Sequence, residues 1–220
     1  MRGGVAGLLA PHYCSSCGDI GALLCESCKY DIVSDGQRRC LICRAPTTVD
    51  NLCSGCHVPY SRAWYVAERE GSLGKLLDLY KFQRAAGAYV ELAELLDHIL
   101  PELPPDTVVV HIPTIAAHVR QRGYDHTKKI ARELARSRKL AFRTPIIRAT
   151  NTHQRGAGRA VRIAQASEAF AVRGDVGPVP HLIIDDVVTT GATVEYAASV
   201  LKNAGASEVW VAVVSRQPLD

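Results

Sequence analysis

The chain of 220 residues is poor in aromatic side chains, with two Trp, eight Tyr and three Phe. So few rings leave no visible groove for stacking the bases of a single strand. No run approaches the ~20 apolar residues that cross a bilayer, so membrane insertion is not expected. The stretch from Val5 to Ala10 is shorter than a secretory signal core of roughly 7–15 residues, so export is not indicated and a cytoplasmic protein is expected. No cysteine follows residue 56, and no acidic residue lies between Arg143 and Ser167. Two phosphate-site strings are also missing. Without G-x-G-x-x-G a Rossmann dinucleotide site is disfavoured, and without G-K-[ST] so is a nucleotide-triphosphatase loop.

The eight cysteines form four C-x-x-C pairs, Cys14/Cys17, Cys25/Cys28, Cys40/Cys43 and Cys53/Cys56. Each pair offers two sulfurs to one metal across a tight turn, and a tetrahedral ion needs two pairs. A reducing compartment with two structural zinc ions explains them better than a secreted disulfide framework. Cys14 to Cys28 and Cys40 to Cys56 read as repeated modules of 15 and 17 residues. That repetition favours successive zinc ribbons, with interleaved pairing left open. The predicted organisation is therefore a double zinc-ribbon module over 1–60 and an α/β domain over 61–220. Two four-thiolate zinc sites contribute about −2 each, so the formal charge of +4 falls to roughly zero, and the placement of arginines matters more than their number.

The remainder is organised around His181-Leu-Ile-Ile-Asp-Asp-Val-Val-Thr-Thr-Gly-Ala-Thr193. Leu182 to Ile184 reads as a strand of a parallel sheet, buried on both faces. Asp185 and Asp186 are expected at its carboxyl end, pointing to opposite sides. A small-residue loop follows, then Val194, Ala197, Ala198 and Leu201 at helical spacing, a stop at Gly205, and a second buried strand from Val209 to Val214. Ligands of such sheets bind beyond the carboxyl ends of the strands. Thr189, Thr190 and Thr193 supply hydroxyls, Gly191 lets backbone amides close on an anion, and the helix start favours negative charge. Upstream, the carboxylates can accept from sugar hydroxyls or hold a divalent cation. The whole reads as a sugar 5-phosphate site, with Asp185 through Thr193, including Val187, Val188 and Ala192, as its binding stretch.

Elsewhere the pattern predicts a strand from Arg62 ended by Gly71, two helical stretches interrupted around Gly87, and a buried strand from Thr107 to His111. A polar loop is expected over 114–125, then a helix carrying Ile130, Leu134 and Leu140. Arg120, Arg122 and Gly123 suit that loop to a diphosphate. A third stretch, 148–170, carries Arg148, Arg155, Arg159 and Arg162 among glycines, and reads as an arginine-rich loop that closes over a polyanion.

The string Ile-Ile-Asp-Asp-Val-Val-Thr-Thr-Gly-Ala-Thr resembles the phosphoribosyl pyrophosphate (PRPP) signature of type I phosphoribosyltransferases. Val-His-Ile-Pro followed by Arg122-Gly-Tyr-Asp-His126, together with Thr152, Gln154, Arg159 and Arg162, resembles the ComF family of competence-associated phosphoribosyltransferase-like proteins. Asp125 and His126 stand where that family usually has Asn and Gln. Leu-Leu-Ala-Pro-His-Tyr-Cys near the start and Tyr80-Lys81-Phe82 extend the match. The resemblance implies a type I phosphoribosyltransferase-like parallel sheet behind a four-cysteine zinc-ribbon module. It also implies PRPP with magnesium as ligand, and a link to natural competence and the processing of incoming single-stranded DNA.

Two functions stay open at this point. One is an enzyme, with Asp185 and Asp186 on the ribose and Arg159 and Arg162 on the departing pyrophosphate. The other is a nucleic-acid protein that keeps the pocket as a ligand site and meets single-stranded DNA or other competence proteins through its zinc ribbons and arginines.

Overall fold

A computed structural model of the chain describes residues 12–34, 38–47, 50–82, 85–148 and 170–218. The expected arginine-rich loop, with Arg159 and Arg162, lies outside the described residues. Helix α1 (Glu26–Ser34) is followed by β1 (Arg62–Glu68), α2 (Gly71–Phe82), a 3-10 turn at Ala86–Ala88, α3 (Tyr89–Ile99) and β2 (Val108–His111). Next come α4 (Ala116–Arg122), α5 (His126–Ser137), β3 (Ala141–Phe142), β4 (Ile146–Arg148), β5 (Phe170–Val172), β6 (His181–Val188), a helix labelled α6 (Ala192–Asn203) and β7 (Val209–Arg216).

Five strands form one sheet in the order β1-β7-β6-β2-β3, and every pairing in it is parallel. Alternation along β7 shows why it is central. Trp210, Ala212 and Val214 enter the apolar cluster under α2, α3 and α5, while Val209, Val211 and Val213 enter the one under α6. A strand apolar on both faces must be covered on both. The four residues that α6 buries, Val194, Ala197, Ala198 and Leu201, are those the spacing picks out.

The two pieces of cysteine-bearing segment divide between these faces. Cys14, Leu24 and Cys28 join the α2/α3 cluster, and Leu41 joins the α6 cluster. Between them lies β1, the edge strand, whose Ala63 amide donates to the Asp50 carbonyl at 3.0 Å. Edge strands left bare invite pairing with other chains; here the segment covers it. Arg216 fastens the arrangement: almost wholly buried, it bonds Glu68 and donates to the Cys40 carbonyl at 2.7 Å.

Several expectations change in detail. Strand β6 runs on to Val188, because Val187 and Val188 still pair with Ser215 and Arg216 of β7. The acid pair is thus inside a strand rather than after it. Gly71, with φ 49, opens α2 rather than ending β1. The polar loop holds a helix, α4, begun at Ala116 and stopped by Gly123 in the left-handed conformation, the usual helix terminator. Leu140 falls beyond the end of α5. The ends of the 148–170 stretch are joined as an antiparallel ribbon, with Arg148 opposite Phe170.

The cysteines fall into two successive sets, Cys14/Cys17/Cys25/Cys28 and Cys40/Cys43/Cys53/Cys56, each with its sulfurs within 4.8 Å of one another. Pairing is sequential, not interleaved. Burial opposes charge on Cys14 and Cys40, but the amides of Cys17, Cys25 and Ser16 around the first, and of Cys43, Cys53 and Ile42 around the second, bring both thiols down to about 6. Four converging sulfurs in each set fit a closed tetrahedral zinc site. The protein purified from zinc-replete medium is expected to carry about two zinc ions per chain by metal analysis, and Cys40→Ser to release one of them. A count near one in the parent would leave one set without a metal.

Candidate active site

Chain direction places the site. After β2 the chain crosses to β3 on one side, and after β6 it crosses to β7 on the other. The loops therefore diverge between β2 and β6, which is where ligands enter open parallel sheets. Register deepens the gap. The β2 ladder ends at His111 opposite Ile184, whereas β6 stays paired to β7 as far as Val188. Asp185 and Asp186 thus have a strand on one side and a cleft of about 290 Å³ on the other. Both carboxylates line it, with Lys81, Phe82, Ile112 to Ile115, Arg122, His126, Arg148 and Thr193.

Asp186 is held by two donors that sequence reasoning did not assign. Lys81 Nζ at the end of α2 lies 2.6 Å from its Oδ2, and His126 Nε2 at the start of α5 lies 2.7 Å from the same oxygen. Arg122 Nη1 is 3.1 Å from His126 Nδ1. Guanidinium can only donate, so Nδ1 accepts and Nε2 carries the proton that goes to Asp186. The network runs Arg122 to His126 to Asp186, with Lys81 closing from the other side. Asp185 receives the Asp186 amide at 2.9 Å.

These surroundings push the two carboxyls apart. Burial, then the negative charge of Asp186, raise Asp185 well above the usual carboxylate range. Burial would raise Asp186 too, but the His126 bond and the Lys81 charge win and hold it far below that range.

Asp125 supports this from behind. It caps α5 through the Lys128 amide at 3.0 Å and binds the Thr114 hydroxyl at 2.9 Å and amide at 3.1 Å, which pins the loop after β2 and sets His126 in line. Burial opposes its charge, but His111 and those amides outweigh burial and keep it ionised well into acid. Tyr80 donates to the His126 carbonyl at 2.9 Å and Tyr124 to the Tyr80 carbonyl at 2.6 Å, which ties the Lys81 arm to α5. Phe82 stands exposed at the cleft mouth, with the Arg122 guanidinium 5.3 Å from its ring centre.

Of the expected binding residues, Thr193 lines the cleft. Thr189 and Thr190 are exposed at the end of β6; the Thr190 hydroxyl lies 3.5 Å from the Ala192 amide. Gly191 takes φ 85 as the N-cap of α6, a conformation that favours glycine. Val187 and Val188 have their side chains in the apolar clusters, so any ligand contact of theirs is through backbone. Arg122 lines the cleft but Arg120 does not: two residues apart on a helix, they face different ways. Gly123 serves as the cap of α4.

Residues 117–219 match the family model described as the phosphoribosyl transferase domain. That span is similar to phosphoribosyl transferase domains. It is 27% identical to the DNA utilization protein YhgH of Salmonella typhi over 86% of this chain and 94% of that one. The YhgH of Salmonella typhimurium is 27% identical with the same coverage. Both matches agree with the resemblance to the ComF family. Among solved structures, the orotate phosphoribosyltransferase from Aeropyrum pernix is 19% identical, over 67% of this chain and 66% of that one, at a TM-score of 0.40.

Two substitutions in this cleft should shift stability in opposite directions. Asp186 is depressed, so its contribution is present above the ordinary carboxylate range and lost as pH falls through its folded value. Asp186→Asn is expected to cost on the order of 2 kcal/mol at pH 7, the worth of hydrogen bonds to a charged group, and much less in strong acid. Asp185 is raised, so its protonated form favours folding in acid and that advantage is lost as pH rises through its folded value. Asp185→Asn should therefore raise the melting temperature at pH 8 and leave it unchanged near pH 3. Melting curves across that range check both signs.

Proposed function

We propose that the cleft binds PRPP. The observation that carries this reading is the meeting, at one gap in a parallel sheet, of the Asp185–Asp186 pair with Thr193 in the first turn of α6. The Thr189 to Thr193 loop takes the 5-phosphate on backbone amides and hydroxyls. Asp185 and Asp186 meet the two ribose hydroxyls, and Arg122 faces the diphosphate. Arg159 and Arg162 complete the anion site in this proposal, and Arg120 and Gly123 act through the shape of α4.

Magnesium belongs to the same proposal, as a companion of the diphosphate. Asp186 Oδ2 already has two donors, and among the described residues the groups able to hold a metal by protein ligands alone are the two cysteine sets. Both cleft carboxylates keep an oxygen for a water shared with the ligand's ion. What the ion supplies is charge neutralisation of the diphosphate.

The functional reading is a ComF-type, PRPP-binding, phosphoribosyltransferase-like protein that serves the handling of incoming single-stranded DNA in the cytoplasm. Its support is the domain match together with the two relatives named for DNA utilization. Structural zinc in residues 1–60 and the ligand cleft in 61–220 form the two units of the proposal. No helix among the described residues is long and apolar enough to cross a membrane. Transfer of the phosphoribosyl group, in which an acceptor bonds to the anomeric carbon as pyrophosphate leaves, is the alternative. Positioning and charge stabilisation would be the protein's share of it.

Calorimetry with PRPP and magnesium, repeated in the presence of a short single-stranded DNA, is the test. PRPP should bind the parent, and Asp185→Ala combined with Asp186→Ala should weaken it about 10²-fold, on the order of 3 kcal/mol for lost charge-assisted hydrogen bonds. Inorganic phosphate should bind the double variant about as well as the parent. DNA affinity that falls steeply with salt supports the nucleic-acid role; no DNA binding at low salt, with turnover of PRPP on addition of an acceptor, favours the enzyme. A parent that ignores PRPP defeats the reading.

A further inference from the structure

The second cysteine set lies against the anion loop. Ile42, between Cys40 and Cys43, reaches Gly191 so closely that a Cβ built on that glycine would sit 2.3 Å from Ile42 Cδ1. Gly191 is the turn between the exposed threonines and α6, so the knuckle packs on the point from which the loop's amides are aimed. Its neighbour Leu41 is 1% exposed and shares the apolar cluster of Val188 and Val194, the residues that flank the loop on either side.

The knuckle is also fixed to the strands that carry the loop. Arg216 donates to the Cys40 carbonyl at 2.7 Å, Arg44 donates to the Gln217 carbonyl, and the Gln217 amide donates to the Val188 carbonyl at 2.8 Å. The first set has no such reach. Cys14 and Cys28 join the opposite face of the sheet, and Ser16, the counterpart of Ile42, bonds Ser72 at 2.7 Å.

We propose that the second cysteine set is a positioning element of the anion loop: with its metal bound it holds the Cys40 to Cys43 knuckle, and Ile42 then fixes Gly191 and the amides that follow. The inference rests on the loop being the phosphate site of the proposed function. It makes Ile42 and the metal of the second set determinants of ligand affinity, although neither touches the ligand. Coupling of this kind is reciprocal: if the metal tightens ligand binding, the ligand holds the metal by the same factor.

The test uses the full chain with both metals in place. Ile42→Val removes the Cδ1 methyl alone, Ile42→Ala removes more, and Ser16→Ala is the control on the first knuckle. Hydrogen exchange of the 189–194 amides, measured without ligand, should quicken in the order parent, Val, Ala, by several-fold at the last step, with zinc content unchanged. PRPP affinity should fall in the same order, about 3- to 10-fold for Ile42→Ala, while Ser16→Ala matches the parent in both. In the parent, PRPP should slow chelator-driven loss of one zinc and not the other.

Exchange in Ile42→Val and Ile42→Ala at the parent rate, with zinc retained, overturns the proposal, as does an equal effect of Ser16→Ala. Should the parent bind no PRPP, the exchange order still decides the coupling, and it is the reading of the cleft as a PRPP site that falls. If Ile42→Ala does not fold, Ile42→Val and the zinc-release measurement on the parent decide it.

Discussion

Two neighbouring carboxyls buried in a sheet cannot both be charged without strong opposing charge close by. Lys81 and His126 reach Asp186 from two different helices and hold its carboxyl low, whereas burial and the charge of Asp186 push that of Asp185 up. Much of the surrounding architecture serves that division. Asp125 caps α5 so that His126 is aimed, Tyr80 and Tyr124 tie α2 to α5 so that Lys81 is aimed, and the early end of the β2 ladder leaves the pair open to a ligand.

Features written as local strings were readable before the structure. The cysteine sets, the parallel strands around β6 and β7, and the helix after Gly191 each show themselves within about fifteen residues. Lys81 and His126 do not, because a single lysine or histidine on a helix has no pattern of its own. Their meaning comes from α2, α5 and β6 converging. The departures at Asp125 and His126 make sense only in place: aspartate is a good helix cap, and histidine offers both a donor and an acceptor where Arg122 and Asp186 need one each. Arg120 misled for a simpler reason. An extended loop would have let both arginines face the cleft, whereas the short helix that forms there turns one of them away.

The composition break near residue 60 is plain in sequence, but composition says nothing of packing. The segment before it does not stand apart: its two halves lie on opposite faces of the sheet, one under each apolar cluster, and the second touches Gly191 at the start of α6. A small segment with a modest apolar content gains stability this way, by borrowing a core that the larger unit already buries.

The position of β1 has a consequence for synthesis. Its partner is β7, and Glu68 and Arg216, which face each other there, are 148 residues apart in sequence. At a translation rate of roughly 5–20 residues per second, β1 leaves the ribosome about 7 to 30 seconds before the strand it must join. Through that interval its apolar residues have no sheet. The cysteine segment is already outside by then, but the two apolar clusters on which its halves pack are completed only when β6 and β7 arrive. In this fold the last strand made closes the core for the first segment as well as for the edge strand.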